Sequence, residues 1–470
     1  MSNEACDQVR DHLFRLGAVG RDEGPPDCAH LDDLTTEGTR DTEYTNRFDW
    51  LGLHAEDTET PEKKVPGLQI DGYFPDDPST TTLAPGNLFG KRDNALKSVY
   101  GYDAQFVISL PNPQHWKGRL VIAGAPGLRG QYANDYIIAD YVLQNGCAFA
   151  STDKGNSGLR FYSQDREPGD AVAEWYERIV QLTQVVKEVA KDYYGKDSRT
   201  YITGCSNAGY LTRYVLESDR ADLYDGGVDW QGPLWTDPDE PTSDPEDKGP
   251  NLFTFLPQAL KYYPLYPLRD ARNAMIRAGF DPKQEIQWEY YHNVYWNSTE
   301  WVFGQTFDPY YAGSPADYNY AERINPEKNP WAQKIKEGVR RVSLTGDIKK
   351  PLITLHGTLD ALLPITKSSD KYRELIEEKG RSDMHRYYRI EGGSHVDGLY
   401  DYTGPDPKNP DLALRKKFRE KLRPMLPCYK AAFDRLVEWV EKGALPPRNQ
   451  TIPKPEENVV NSCSELEKQK

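Results

Sequence analysis

A serine flanked by small residues stands where a β-like run meets an amphipathic run, in Thr200-Tyr-Ile-Thr-Gly-Cys-Ser-Asn-Ala-Gly-Tyr-Leu-Thr212. This strand–turn–helix context is that of a nucleophile elbow. Gly204 and Ala208 let the two elements approach while Ser206 takes a strained backbone and projects its hydroxyl beyond the strand. Glycine is usual at the last small position, so Ala208 is a mild departure whose methyl the turn must accommodate. A serine hydroxyl is a weak nucleophile until a base takes its proton, so the elbow calls for a histidine and an acid. Pro351–Leu355 reads as a strand running into His356-Gly-Thr-Leu-Asp-Ala-Leu-Leu-Pro364, which places Asp360 just past a strand end. His385–Ile390 reads as another, running into Glu391-Gly-Gly-Ser-His395. Singly, the elbow could be a plain strand–helix turn, Asp360 a turn former and His395 an exposed loop residue. Jointly, Ser206, Asp360 and His395 follow one another as nucleophile, acid and base, each after a strand. His356 is expected to be structural.

Acyl transfer also needs donors for the developing oxyanion. The backbone N–H of Asn207, directly after the nucleophile, is one candidate. The other belongs to Ala123-Gly-Ala-Pro-Gly-Leu-Arg-Gly130. Pro126 has no N–H, so Ala125 is the first choice there and Gly127 the second. Arg129 could hold a substrate carboxylate, although a solvated surface arginine is the plainer reading.

The elements that must position these groups alternate along the chain. Gln105–Leu110, Arg119–Ala123, Cys147–Ser151 and Thr200–Thr203 read as short strands, and Gly67–Phe74 as a possible first one. Asp135–Asn145 and Ala171–Tyr194 carry helical spacing, as do Ser369–Lys379 and Ala432–Gly443 later on. The alternation predicts an α/β fold, a mostly parallel sheet with helices on both faces. Residues 231–331 interrupt it and hold 20 of the chain's 55 aromatic residues. Such an insertion suggests a lid over a site, the alternative being a satellite domain with its own aromatic core. Trp288, Trp296 and Trp301 are candidate substrate-binding side chains in it. The expected organisation is an acidic prelude packed on the core (1–95), a first core part (96–230), the lid insertion (231–340) and a second core part with a C-terminal tail (341–470).

The phrases DAQFVISLP, GRLVIAGAPG, STDKGNSG, TGCSNAGY, HGTLDALLP, GGSH and FDRLVEWVEKGALPP resemble bacterial α/β-hydrolases of the tannase and feruloyl esterase type, and are similar also to 3-hydroxybutyrate oligomer hydrolases. The resemblance spans about residues 100–447. It implies an α/β-hydrolase fold, a serine esterase with an inserted lid that supplies the acyl or alcohol pocket, and carboxylic-ester substrates. In the tannase pattern a cysteine before the serine bonds one after the histidine. Here Cys205 precedes Ser206 but Val396 follows His395, so that bridge is absent and Cys205 is expected as a buried thiol. The resemblance also raises calcium in the lid, for which the acidic loop 237–247 has carboxylates but no EF-hand spacing; no other cofactor or metal is expected.

Composition narrows the partners. The formal net charge of -15 over 470 residues argues against a nucleic-acid partner. No run of roughly 20 apolar residues is present, so no membrane span is expected. Residues 1–64 carry 16 acidic and 7 basic side chains, which marks them as a surface prelude, partly irregular, wrapped on or attached to the main domain. Among the six cysteines, Cys6 with Cys28 and Cys428 with Cys463 could form disulfides or stay reduced. No signal peptide is visible; a secreted or periplasmic protein written as its mature chain would look the same, and a cytoplasmic one is the alternative. Asn297-Ser-Thr and Asn449-Gln-Thr fit a glycosylation pattern but carry little weight. The expected activity is a serine carboxylic-ester hydrolase acting on aromatic or hydroxyacyl esters, including oligomeric ones. A serine peptidase of the same superfamily, or a non-catalytic aromatic-ligand binder on this scaffold, are the alternatives.

Overall fold

The computed structural model describes residues 2–20, 23–40, 54–56, 58, 63–75, 104–127, 138–155, 167–239, 251–456 and 462–467. The chain divides into two compact units, one formed mainly by residues 1–229 and the other mainly by residues 230–470. In the first unit the strands are β1 (Asp27–Leu31), β2 (Gly67–Tyr73), β3 (Gln105–Pro111), β4 (Arg119–Gly124), β5 (Cys147–Thr152), β6 (Arg199–Cys205) and β7 (Gly226–Trp230). They lie in the order β1-β2-β3-β5-β4-β6-β7. Pairing is antiparallel from β1 through β3 to β5, then parallel among β5, β4 and β6. The β3 and β5 runs are buried along their whole length and read as nearly continuous apolar stretches, whereas β2, equally buried, alternates Leu68 and Ile70 with Gln69 and Asp71, which hydrogen-bond to each other at 2.8 Å.

Helices α1 (Ser2–Arg15), α2 (Asp140–Gln144), α3 (Asp170–Tyr194) and α4 (Asn207–Ser218) complete this unit. On α3, Val172, Trp175, Ile179, Leu182, Val186 and Val189 are buried at spacings of three and four, the stripe expected of a helix seated on a sheet. The described part of the N-terminal segment contains regular structure. Cys6, Val9 and Leu13 form a buried stripe on α1, and Cys6 is disulfide-bonded to Cys28 on β1. Closing a loop of that size removes unfolded-chain entropy of about 3 kcal/mol. The helix expected over 135–145 is observed over Asp140–Gln144, residues 135–137 lying outside the described residues.

The second unit has three parallel strands, β8 (Leu352–Gly357), β9 (His385–Ile390) and β10 (Gln450–Ile452), in the order β8-β9-β10. Before them come the insertion helices α5 (Leu256–Tyr262), α6 (Arg269–Arg277), α7 (Glu285–Tyr291), α8 (Asn297–Phe307), α9 (Tyr320–Arg323) and α10 (Ala332–Arg341). After β8 come α11 (Ser369–Glu378), α12 (Leu412–Lys421), α13 (Leu426–Lys442) and α14 (Ser464–Glu467). The insertion has an aromatic interior: Trp235 packs against Phe253, Phe303 and Phe307, and Phe280 against Trp288 and Trp296. Cys428 on α13 is disulfide-bonded to Cys463. Among the described residues no helix is long and apolar enough to cross a membrane.

Candidate active site

In the first unit β6 ends at Cys205, α4 begins at Asn207, and Ser206 between them has φ 57° and ψ -121°. A left-handed φ at a residue with a Cβ is costly and persists only where the surroundings impose it. Here they do: a Cβ added at Gly204 would collide with Ala208, so β6 and α4 are pressed together at this turn. Ala208 fits, 1% exposed, and its methyl is part of what requires glycine at 204. Cys205 is a buried thiol outside both disulfides.

The loop after β4 corrects one sequence expectation. The N–H of Ala125 donates to the Thr152 carbonyl at 2.8 Å, extending the β4–β5 ladder past Gly124, so it has no proton left for an oxyanion. Its carbonyl accepts Lys154 Nζ at 2.5 Å. The second choice, Gly127, lies beside the elbow: its carbonyl accepts Asn207 Nδ2 at 3.4 Å. Among the described residues the backbone N–H groups of Gly127 and Asn207 have no acceptor. Lys154 is fully buried, with Nζ 5.4 Å from the centre of the Trp175 ring; burial lowers its pKa to about 7 against the opposing pull of Asp153. Arg129 lies outside the described residues.

In the second unit β8 runs into the turn carrying Asp360, and β9 into the Gly-rich loop carrying His395. Asp360 Oδ2 and His395 Nδ1 are 2.8 Å apart, and both side chains are buried. The other carboxylate oxygen accepts the backbone N–H groups of Leu362 at 2.9 Å and Leu363 at 2.8 Å. Burial by itself would raise the Asp360 pKa. The charge of His395, with hydrogen bonds from His356 and His395, overcomes it and holds the carboxyl well below the ordinary range. His356 is fully buried: its Nδ1 is 2.6 Å from Ser369 Oγ, and its Nε2 is 2.9 Å from the Leu363 carbonyl and 3.3 Å from Asp360 Oδ2.

Several residues that sequence reasoning passed over hold this pair. Gln231, fully buried and at φ 45°, accepts the Gly357 N–H at 3.1 Å, and its Nε2 donates to the carbonyls of Ser394 at 3.0 Å and of His395. It therefore ties the end of β8 to the histidine loop. Asp397 accepts the N–H groups of Met425 at 2.7 Å and Leu426 at 2.8 Å, which anchors the same loop to the start of α13. Burial, opposed by those two hydrogen bonds, raises the Asp397 pKa to about 7.

The tryptophans singled out in the insertion differ. Trp288 and Trp296 are fully buried in the aromatic interior, and Trp301 is 40% exposed. Of the acidic loop, Asp237 and Asp239 are described and already paired, the first with Arg340 at 2.9 Å, the second with Arg340 and Lys336, both at 2.6 Å. Glu240, Asp244, Glu246 and Asp247 of the same loop lie outside the described residues, and among the described residues no group of three candidate metal ligands occurs.

Residues 287–461 match the alpha/beta hydrolase domain family. A D-(-)-3-hydroxybutyrate oligomer hydrolase of Polaromonas sp. is 27% identical over 149 residues, a match covering 30% of this chain and 19% of that protein. The chain therefore matches about a fifth of that relative's length. An esterase of Aspergillus oryzae superposes with a TM-score of 0.51 at 14% identity, covering 95% of this chain and 91% of the other. The tannin acyl hydrolase of Aspergillus niger gives 0.50 at 13% identity, over 94% and 88%. At such identities the structural likeness speaks for architecture alone. Together with the domain match it establishes that this chain has the α/β-hydrolase fold.

Proposed function

We propose that the protein is a serine carboxylic-ester hydrolase with Ser206 as nucleophile, His395 as base and Asp360 as the acid that orients it. Two observations, each within one unit, support the reading: a left-handed serine at a strand–helix junction, and a buried histidine–aspartate hydrogen bond. With Nδ1–H donated to Asp360, His395 presents Nε2 as an acceptor, the tautomer a general base requires. The serine oxygen attacks the ester carbonyl as its proton passes to Nε2. The tetrahedral oxyanion is held by the N–H groups of Asn207 and Gly127, and the imidazolium protonates the leaving alcohol. Water, deprotonated by the same histidine, then releases the acid from the acyl-enzyme.

Aromatic or hydroxyacyl esters, oligomeric ones included, are the proposed substrates. The sequence likeness to a 3-hydroxybutyrate oligomer hydrolase supports the hydroxyacyl side of that class. Two disulfides support an oxidising compartment, hence a secreted or periplasmic setting. Ser206→Ala should lower kcat on p-nitrophenyl butyrate by about 10⁴–10⁶ with an unchanged circular dichroism spectrum. Full activity in that variant sinks the assignment. A screen of methyl ferulate, methyl gallate and 3-hydroxybutyrate dimers separates the substrate classes, and amide cleavage rivalling ester cleavage would instead indicate a peptidase.

A further inference from the structure

Three consecutive carbonyls of the acid turn each accept a side-chain donor from the insertion. Gln287 Nε2 donates to Leu359 at 2.7 Å, Gln284 Nε2 to Asp360 at 2.9 Å, and Trp296 Nε1 to Ala361 at 2.8 Å. All three donors are buried. Most backbone N–H groups of the turn are engaged as well: that of Thr358 donates to Ile390 at 2.9 Å, that of Leu359 to Gly393 at 2.8 Å and that of Asp360 to Gly357 at 3.3 Å, while those of Leu362 and Leu363 donate to the Asp360 carboxylate. A carbonyl buried at this depth without a donor would be costly, so the donors decide whether the turn holds this conformation.

Two features show that these side chains suit this task better than packing. First, the Oε1 atoms of Gln284 and Gln287 are buried without a hydrogen-bond partner among the described residues. A methionine would fill the same space without that penalty, so the favourable half of each glutamine is its donation to the turn. Second, the helical path is adjusted to bring the third donor in. Gln284 and Gln287 are three apart and share a face. In a regular helix Trp296 would sit about 120° away from Gln284. Residues His292–Trp296 form instead a wider π-helical turn, which rotates the end of this segment backward and returns Trp296 to the acid turn.

We infer that Gln284, Gln287 and Trp296 are positioning residues for the Asp360–His395 pair, so that this part of the insertion is a fixed abutment of the acid turn and does not swing as a cap hinged there. The inference rests on the esterase reading for its kinetic consequence, but its structural consequence can be measured independently. Gln284→Met and Gln287→Met remove one donor each at nearly constant volume, and Trp296→Phe removes the N–H together with the five-membered ring of the indole. Each should lower kcat on p-nitrophenyl butyrate by about tenfold, and the double glutamine variant by about a hundredfold, with KM within about twofold of the parent. The downfield proton resonance of His395 Nδ1–H should broaden or disappear in the same variants. Phe253→Leu, which loosens the aromatic interior without touching the turn, serves as the stability-matched control and should keep both kcat and the resonance. Unchanged kcat and an intact resonance in any well-folded donor variant would overturn the inference, as would equal losses in the control. Should the parent protein cleave no ester, the esterase reading fails on its own, and the resonance still decides whether the donors hold the pair.

Discussion

The serine elbow and the aspartate–histidine pair are assembled in opposite ways. The elbow is almost self-sufficient in sequence: a strand, a left-handed serine and a helix within about twenty residues, forced together by Gly204 and Ala208. The pair depends on partners far away along the chain. Donors 65 to 76 residues upstream hold the acid turn, and Gln231 reaches the histidine loop from 163 and 164 residues away. Local geometry creates strain cheaply, whereas aligning a buried carboxylate with an imidazole requires every neighbouring backbone group to be satisfied. Damage to the elbow should therefore act through sterics, and damage to the pair through lost hydrogen bonds.

The largest effect expected on the pair comes from Asp360→Asn. The amide oxygen can still accept the Leu362 and Leu363 N–H groups, but its NH₂ would face His395 Nδ1 and favour the wrong imidazole tautomer. A kcat loss of about 10⁴ with retained fold is expected, by analogy with the same change in serine proteases. A loss below about tenfold would remove Asp360 from the mechanism. On the elbow, Gly204→Ala introduces a methyl into the Ala208 side chain, with Ala208 backbone atoms 2.8 and 2.9 Å from it as well. Overpacking of this kind costs about 1–3 kcal/mol, so chemical denaturation should show it directly alongside a kcat loss. Unaltered stability would mean the elbow is looser than its geometry implies.

Legibility in the sequence follows the same division. β3 to β6 and the elbow were readable because buried strands between turn clusters leave an unambiguous local signal. The placement of Asp360 and His395 just past strand ends was readable from the runs that precede them, and the structure joins the two by a hydrogen bond. Their supports were not readable, because Gln284 and Gln287 on a helix look like any solvated glutamine until a carbonyl from elsewhere meets them. Asp397 likewise reads as one more loop acid, although it holds the start of α13. Ala125 failed as an oxyanion donor because the ladder extends one residue further than strand propensity reveals. The α1 stripe of Cys6, Val9 and Leu13 was hidden by the acidic balance around it.

Lys154 lies between the two modes, since it follows β5 directly yet acts on the loop after β4 through the Ala125 carbonyl. Lys154→Met should cost about tenfold in kcat, less than the 10²–10³ of a direct oxyanion donor, because Lys154 only orients the segment leading to Gly127. Its effect on stability has a definite sign. The folded pKa of about 7 lies below the unfolded value near 10.5, so between those pH values the unfolded chain binds the extra proton and parent stability rises with pH. The methionine variant lacks this rise. Relative to the parent it should be most stable below pH 7 and lose that advantage by pH 10, and urea titrations at pH 6.5 and 9.5 measure the difference. A pH-independent difference would show that Lys154 titrates normally.

The smallest effect tests the local mode most closely. Ala208→Gly removes the methyl that fills the space against Gly204, and on its own should cost only about 0.5–1 kcal/mol, the usual penalty for glycine in a helix. If contact between these two positions sets the elbow, the losses in Gly204→Ala and Ala208→Gly are not additive. The double variant should recover part of the stability and kcat lost in Gly204→Ala. Recovery would be partial, because the backbone carbonyl carbon and oxygen of Ala208 remain within 3 Å of the new methyl. Simple additivity would place the strain of Ser206 elsewhere than at this junction, and the elbow would then depend on longer-range support just as the aspartate–histidine pair does.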